Sequence, residues 1–134
     1  MNIWNESFSE LYALRIVDVF GEKFSVAQKS FFACLNLEKV NFHGAVASVD
    51  KEAFKECYKL KELNFPYGLK FIGEFAFEKC CDLKKITIPL STQIVYSSAF
   101  KDTSKDLKII YGGKQYDVKG FRNALLASGG IMYD

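Results

Sequence analysis

"AFKECYKLKELNFP", residues 53–66, is followed by "AFEKCCDLKKITIP", residues 76–89, in which every shared letter is displaced by 23 positions. Alanine, phenylalanine, cysteine, leucine and proline all return on that schedule. The same offset extends along the chain. Phe8, Phe31, Phe54, Phe77 and Phe100 fall in one column, and Leu11, Cys34, Cys57, Cys80 and Thr103 in another. Leu14, Leu37, Leu60 and Leu83 follow, then Val17, Val40, Leu63, Ile86 and Ile109. Val26, Val49, Ile72 and Val95 close the unit. Five units at 8–30, 31–53, 54–76, 77–99 and 100–122 account for most of the chain, with the last slipping by one residue at Leu107.

A period of this length with fixed apolar columns is the mark of a solenoid. One unit cannot bury its apolar side alone, whereas stacked copies build a continuous core. The alternation at 40 and 42, 63 and 65, and 86 and 88 predicts a short strand in each coil. "VDKEAFKEC", residues 49–57, predicts a helical turn, with Asp50 as N-cap and Val49, Ala53, Phe54 and Cys57 on one side. Thirteen phenylalanines in 134 residues fit a fold that wants flat, bulky side chains at equivalent places.

These residues resemble the BspA-type leucine-rich repeat. The stretch Ile72-Gly73-Glu74-Phe75-Ala76-Phe77-Glu78-Lys79-Cys80, followed by Leu83, Ile86, Ile88 and Pro89, matches that unit at every signature position. The departures are Leu11 and Thr103 for cysteine and Phe20 and His43 for proline, mostly toward the ends, where terminal coils are atypical. The resemblance implies a single domain over residues 1–134: a short right-handed leucine-rich-repeat solenoid of α+β class, about five coils long. It also implies adhesion and recognition within larger secreted proteins.

Both ends carry candidate closures, which keep a solenoid from exposing core and strand edges. Ile3 and Trp4 are expected to lie over the first coil. A capping helix is expected at about 117–128, with Asp117 as N-cap and Gly129-Gly130 as its stop. Gly120 weakens that helix by about 1 kcal/mol relative to alanine.

Hydrophobic residues make up 49% of the chain and charged ones 25%, with a formal net charge of +2, the make-up of an ordinary globular domain. Near-neutral charge argues against a dedicated nucleic-acid or membrane-surface protein. Glu6, Glu10, Arg15 and Asp18 interrupt the only stretch that could pass for an export signal. A complete chain would therefore be cytoplasmic, and a fragment of a larger exported protein would be at the cell surface or secreted.

Cysteine and histidine chemistry is weak. Cys34, Cys57 and Cys80 belong to a buried column, where thiols behave as small hydrophobes. The pair Cys80-Cys81 lacks the spacing of metal ligands, and Cys81 alone lies outside the column as a reactive candidate. His43 is expected at a solvated bend after a strand, without the nucleophile and orienting partner that a catalytic base requires. Gly112-Gly113-Lys114 lacks the glycine spacing of a phosphate loop. No enzyme, metal site or cofactor is expected.

The outward positions say more. Lys39, Glu62 and Lys85 alternate in sign on neighbouring rungs, and Asn41 above Asn64 suggests an amide ladder. Phe71 and Ile94 stand where the resembled repeat carries a polar residue. Phe75, Tyr96, Tyr67 and Leu90 accompany them on two adjacent coils. Such apolar groups mark an interaction site unless a helix, a loop or self-association covers them. The expectation is a non-enzymatic module that binds a protein partner, with homodimers through the apolar patch or the solenoid end among its modes. The alternative is a small intracellular inhibitor or adaptor that occludes a nucleic-acid-handling enzyme, supported by fourteen Lys/Arg against ten Asp/Glu in residues 51–134.

Because Lys39, Glu62 and Lys85 alternate, positive potential is not concentrated on one face. DNA or RNA binding should accordingly be weak and vanish by physiological salt in a filter or anisotropy assay. Nanomolar affinity with a steep salt slope would overturn this reading.

Overall fold

The computed structural model describes residues 7–134. Ile3 and Trp4, expected over the first coil, lie outside those residues. The strands are β1 (Ile16–Val26), β2 (Lys39–Val49), β3 (Glu62–Asn64), β4 (Phe71–Ile72), β5 (Lys85–Thr87), β6 (Ile94–Tyr96), β7 (Lys108–Tyr111), β8 (Lys114–Tyr116) and β9 (Ile131–Tyr133). Among the described residues the one α-helix, α1 (Val118–Ala127), lies between β8 and β9, and a single 3-10 turn, Ser97–Phe100, follows β6. The chain winds as a β-solenoid of about four turns with two parallel ladders. One ladder runs β1–β2–β3–β5–β7 and the other β1–β2–β4–β6–β9, because the long β1 and β2 contribute to both.

Proline explains why later coils carry two short strands where the first two carry one long one. Pro66 and Pro89 have no N–H to donate to a neighbouring rung, so pairing stops after β3 and β5. Phe20 and His43 at the equivalent positions keep their donors, and Phe20 pairs with His43 in register. His43 therefore sits inside β2 and not at the bend expected for it. In the third and fourth coils the corner is held by side chains. Ser91 Oγ accepts from Gly68 N at 2.9 Å, and the Ser91 and Thr92 hydroxyls both donate to the Leu69 carbonyl.

The segment expected as a helical turn is a run of tight turns instead, and Asp50 caps no helix. Glu52 and Glu56 adopt left-handed φ values of 58° and 63°, as do Lys29 and Ala33 one coil earlier and Phe75 and Lys79 one coil later. Each such non-glycine residue costs about 1 kcal/mol. The return is a second set of inter-coil hydrogen bonds. Phe31, Phe54 and Phe77 donate to the carbonyls of Ala53, Ala76 and Ala99, while Ala33, Glu56 and Lys79 donate to Lys55, Glu78 and Lys101. The alternate amides close turns within the coil, such as Phe32 to Lys29 and Cys34 to Phe31. An α-helix would satisfy its amides internally and leave the coils unlinked on this side.

Every 23rd phenylalanine stacks on the next. Ring centroids are 5.3 Å apart for Phe8–Phe31, 5.1 Å for Phe31–Phe54, and 5.9 Å for Phe54–Phe77 and Phe77–Phe100. Phe121 from α1 meets Phe100 edge-on at 6.2 Å and closes the column. Asp117 is the N-cap of α1, accepting from Gly120 N at 2.7 Å. Glycine at 120 has a local reason: a Cβ there would lie 3.1 Å from the Asp117 carboxylate and 3.3 Å from Tyr116.

The fifth coil departs from the expected unit 100–122 after Tyr111. There the chain reverses through Gly112 and Gly113 into antiparallel β8, which covers the edge of the first ladder. The second-ladder strand of this coil is β9, which arrives after the helix and pairs in parallel with β6.

The thiol column has a bond of its own. Cys34, Cys57 and Cys80 each donate to a phenylalanine carbonyl of the preceding coil, Phe8, Phe31 and Phe54, at 2.9–3.1 Å. Burial pushes the Cys34 thiol up to about 11 and drives Cys57 and Cys80 well above the ordinary range. All three are buried, and Cys81 is exposed. Native-state labelling with a thiol reagent at neutral pH should therefore modify Cys81 first, and the other three only as the chain opens. Cys57→Ala should cost about 1–2 kcal/mol in denaturant unfolding. Fast labelling of the column cysteines would contradict this packing.

Candidate functional site: the outward face of the second ladder

Strand alternation sorts the second ladder into two sides. Ile72, Val95 and Met132 point into the core and are buried, while Phe71, Ile94 and Ile131 stand in register on the outside. Tyr96 and Tyr133 form the next outward pair. Phe71 meets Tyr96 edge-on at 6.0 Å, and Tyr96 lies 5.3 Å from Tyr133. Gly73, itself buried, precedes the two tyrosines in their column, and a Cβ there would lie 2.8 Å from the Lys51 backbone nitrogen and 3.2 Å from the Phe71 ring. Glycine is required by the close approach of the preceding coil, and it also leaves the Phe71 ring room on that side.

Phe71, Ile94 and Tyr96, grouped by sequence, are thus brought together, and β9 extends the group. Ile131 and Tyr133 are each 46% exposed, large for apolar side chains in a strand. Sequence reasoning missed them because they lie outside the 23-residue frame. The outward, apolar alternation of "IMYD" after Gly129-Gly130 was the available signal. On the other side the face ends at Ser48, which pairs with Phe71.

Tyr67 and Leu90 stand at the corner between the ladders, 75% and 60% exposed. With Lys70, Gln93, Ile94 and Ile131 they line an open groove of about 440 Å³ beside the end of α1. Phe75 is placed differently. Its ring centroid lies 5.9 Å from the ammonium groups of both Lys55 and Lys101. Those lysines converge on the buried Glu78 carboxylate at 3.1 Å and 3.7 Å, and Lys55 also reaches Glu52 at 3.2 Å. Burial works against the Lys55 charge, yet the two glutamates outweigh it and hold its pKa above the ordinary value. Phe75 therefore belongs to a polar cluster linking three coils, a cluster that sequence reasoning did not assemble.

Lys39, Glu62 and Lys85 are adjacent rungs of the other ladder, away from the apolar columns. Glu62 and Lys85 are 3.8 Å apart, and a groove of about 460 Å³ runs past Lys39 and Glu62 between Ile16 and Asn64. The amide ladder expected from Asn41 and Asn64 takes another form. Asn41 donates to Asp18 at 3.0 Å, Thr87 donates to Asn64 at 2.9 Å, and Asn64 turns its own amide to Glu62. His43 lies 2.9 Å from Asp18 and stacks on Phe20 with centroids 4.4 Å apart.

A family model described as the BspA type leucine rich repeat region matches residues 1–111, in six copies. No curated protein matches the chain. The crystal structure of a leucine rich cell surface protein from Faecalibacterium prausnitzii A2-165 superposes with a TM-score of 0.75 at 23% identity. The match covers 96% of this chain and 32% of that one, so the chain spans about a third of that protein's length. At this identity the likeness concerns the fold. Among the described residues no helix is long and apolar enough to cross a membrane.

The hydrogen bond from His43, supported by Asn41, holds the Asp18 carboxyl below its ordinary value of 3.8. A depressed carboxylate contributes stability that is fully present above 3.8 and lost as pH falls through the lower folded value. An NMR titration should show Asp18 ionising below that value, with His43→Ala moving it back up. An unchanged Asp18 titration in that variant would remove His43 as the cause.

Proposed function

This chain belongs to the BspA-type leucine-rich-repeat family, and from that premise we propose that it is a non-enzymatic module for binding other proteins, of the adhesion or recognition type. The observation that carries the reading is the apolar column Phe71–Ile94–Ile131 on the outward face of the second ladder. Strand residues on that side ordinarily meet water, and the first two coils place Ser25 and Ser48 there. Phe71 and Ile94 are half-buried and Ile131 is exposed, and a contiguous apolar group of this kind on an outward face marks an interaction site. Phe71 is the anchor, since a ring held in place by Tyr96 gives up little freedom on contact.

The known cell-surface neighbour supports the same class of role, because its repeat region shares this fold. The likeness supports an exported, surface-attached setting over the inhibitor or adaptor reading. Lys39, Glu62 and Lys85 offer a second, polar contact surface on the first ladder, where opposite charges on adjacent rungs would orient a partner more than hold it.

Affinity capture from the source cells, identified by mass spectrometry, tests the reading. Phe71→Glu should lose the captured proteins while circular dichroism and thermal unfolding stay close to the parent. Ile72→Glu, one residue away, should unfold the chain by placing an unpaired charge in the core. Capture at full strength by a folded Phe71→Glu protein would reduce the face to ordinary surface. Unfolding of Phe71→Glu as severe as that of Ile72→Glu would make Phe71 a core residue.

A further inference from the structure

We propose that the occupant of the Phe71–Ile94–Ile131 face is a second copy of this chain, related by a two-fold axis parallel to the solenoid axis. The inference rests on the reading of that face as a contact surface and names what it contacts. Its basis is a self-complementary pattern of charge and shape around the inward-facing Ile72.

Lys70 lines the groove with Ile94 and Ile131, and Glu74 follows Gly73 beyond the end of β4, so the two stand two residues before and two residues after Ile72. Lys70 is exposed and Glu74 half-buried. Among the described residues neither side chain forms an ion pair within its own chain, unlike Glu52, Lys55, Glu78 and Lys101 on the neighbouring turns. Between them lie the two outward columns, Phe71–Ile94–Ile131 and Gly73–Tyr96–Tyr133.

A two-fold axis along the solenoid keeps each coil level with the same coil of its mate and reverses the strand direction. Position 70 then faces position 74, and the first outward column faces the second. Lys70 of each copy meets Glu74 of the other, twice over. Ile94 opposes Tyr96 and Ile131 opposes Tyr133, an aliphatic group against an aromatic one at each level. Gly73 leaves the Phe71 ring room on that side, so on the third coil the two rings meet each other. Such an isologous contact closes on itself, so association stops at two copies.

The other two-fold orientation is disfavoured by charge. An axis along the strands, centred on Ile94, sets the third coil against the fifth. Glu74 would then face Asp134, whose charge Arg122 already satisfies at 2.7 Å, and Lys70 would face Gly130, so neither would gain an opposite charge. The pairing of Lys70 with Glu74 is available only about the axis along the solenoid.

Sedimentation equilibrium of the full chain tests the arrangement. The parent protein should self-associate to a dimer with a dissociation constant in the micromolar range. Lys70→Glu and Glu74→Lys should each weaken the dimer by at least about tenfold, because two opposite-charge contacts become two like-charge contacts. An equimolar mixture of the two variants should form a heterodimer of parental strength, and the double variant Lys70→Glu/Glu74→Lys should dimerise again. Both side chains lie outside the core, so circular dichroism of the variants should match the parent.

A monomeric parent overturns the two-fold. So does a dimer that neither single substitution weakens, or one that the mixture fails to restore. Failure here is distinct from failure of the binding reading. A monomeric parent whose captured proteins are lost on Phe71→Glu keeps the face as a site for a different protein.

Discussion

Everything in this molecule follows from one geometric demand: each coil must lie a single strand spacing from the next around its whole circumference. On the strand sides the parallel ladders supply that spacing, about 4.8 Å between backbones. On the remaining side an α-helix would be too wide and would keep its hydrogen bonds to itself. The chain answers with paired left-handed residues, such as Glu52 and Glu56, which turn every other amide toward the neighbouring coil. The conformational cost of those residues is met by bonds that recur at each junction.

Close coil spacing then decides which side chains can occupy the interior. Flat rings stacked at 5.1–5.9 Å fit a repeat of that size, which accounts for the phenylalanine column and for the high phenylalanine content. Small thiols fit beside the turn, where each reaches a carbonyl of the coil before it. Thr103 breaks the sequence of thiols at the last coil, and its hydroxyl bonds within its own turn to Phe100. Beyond this point the core is closed by α1 through Phe121 and Leu125.

The same regularity makes departures meaningful. A solenoid presents every outward column to solvent at every coil, so a column that changes from Ser25 and Ser48 to Phe71, Ile94 and Ile131 changes the surface it exposes. The salt-bridged cluster of Lys55, Glu78 and Lys101 does not share that character, because its charges are satisfied within the chain. Among the described residues Lys70 and Glu74 form no ion pair, and on the proposed reading they edge the apolar columns on one part of the solenoid's girth.

The period of 23 residues settled, without coordinates, which residues share a level and which columns face inward, because stacking forces equivalent positions into equivalent environments. Phe31 above Phe54, Cys57 above Cys80, and the outward stance of Phe71 and Ile94 were all legible in this way. Three features were not. His43 was read as a bend because proline stands at its position elsewhere, yet a histidine keeps the amide that continues β2. The turn at 49–57 was read as helical because apolar spacing there suits a helix, and only the inter-coil hydrogen bonds show why it is not. The third is β9. Its pairing with β6 joins Ile94 to Ile131 across the whole cap. Periodicity describes neighbours one coil apart, whereas the closing strand is placed by a non-local pairing that only the folded chain brings about.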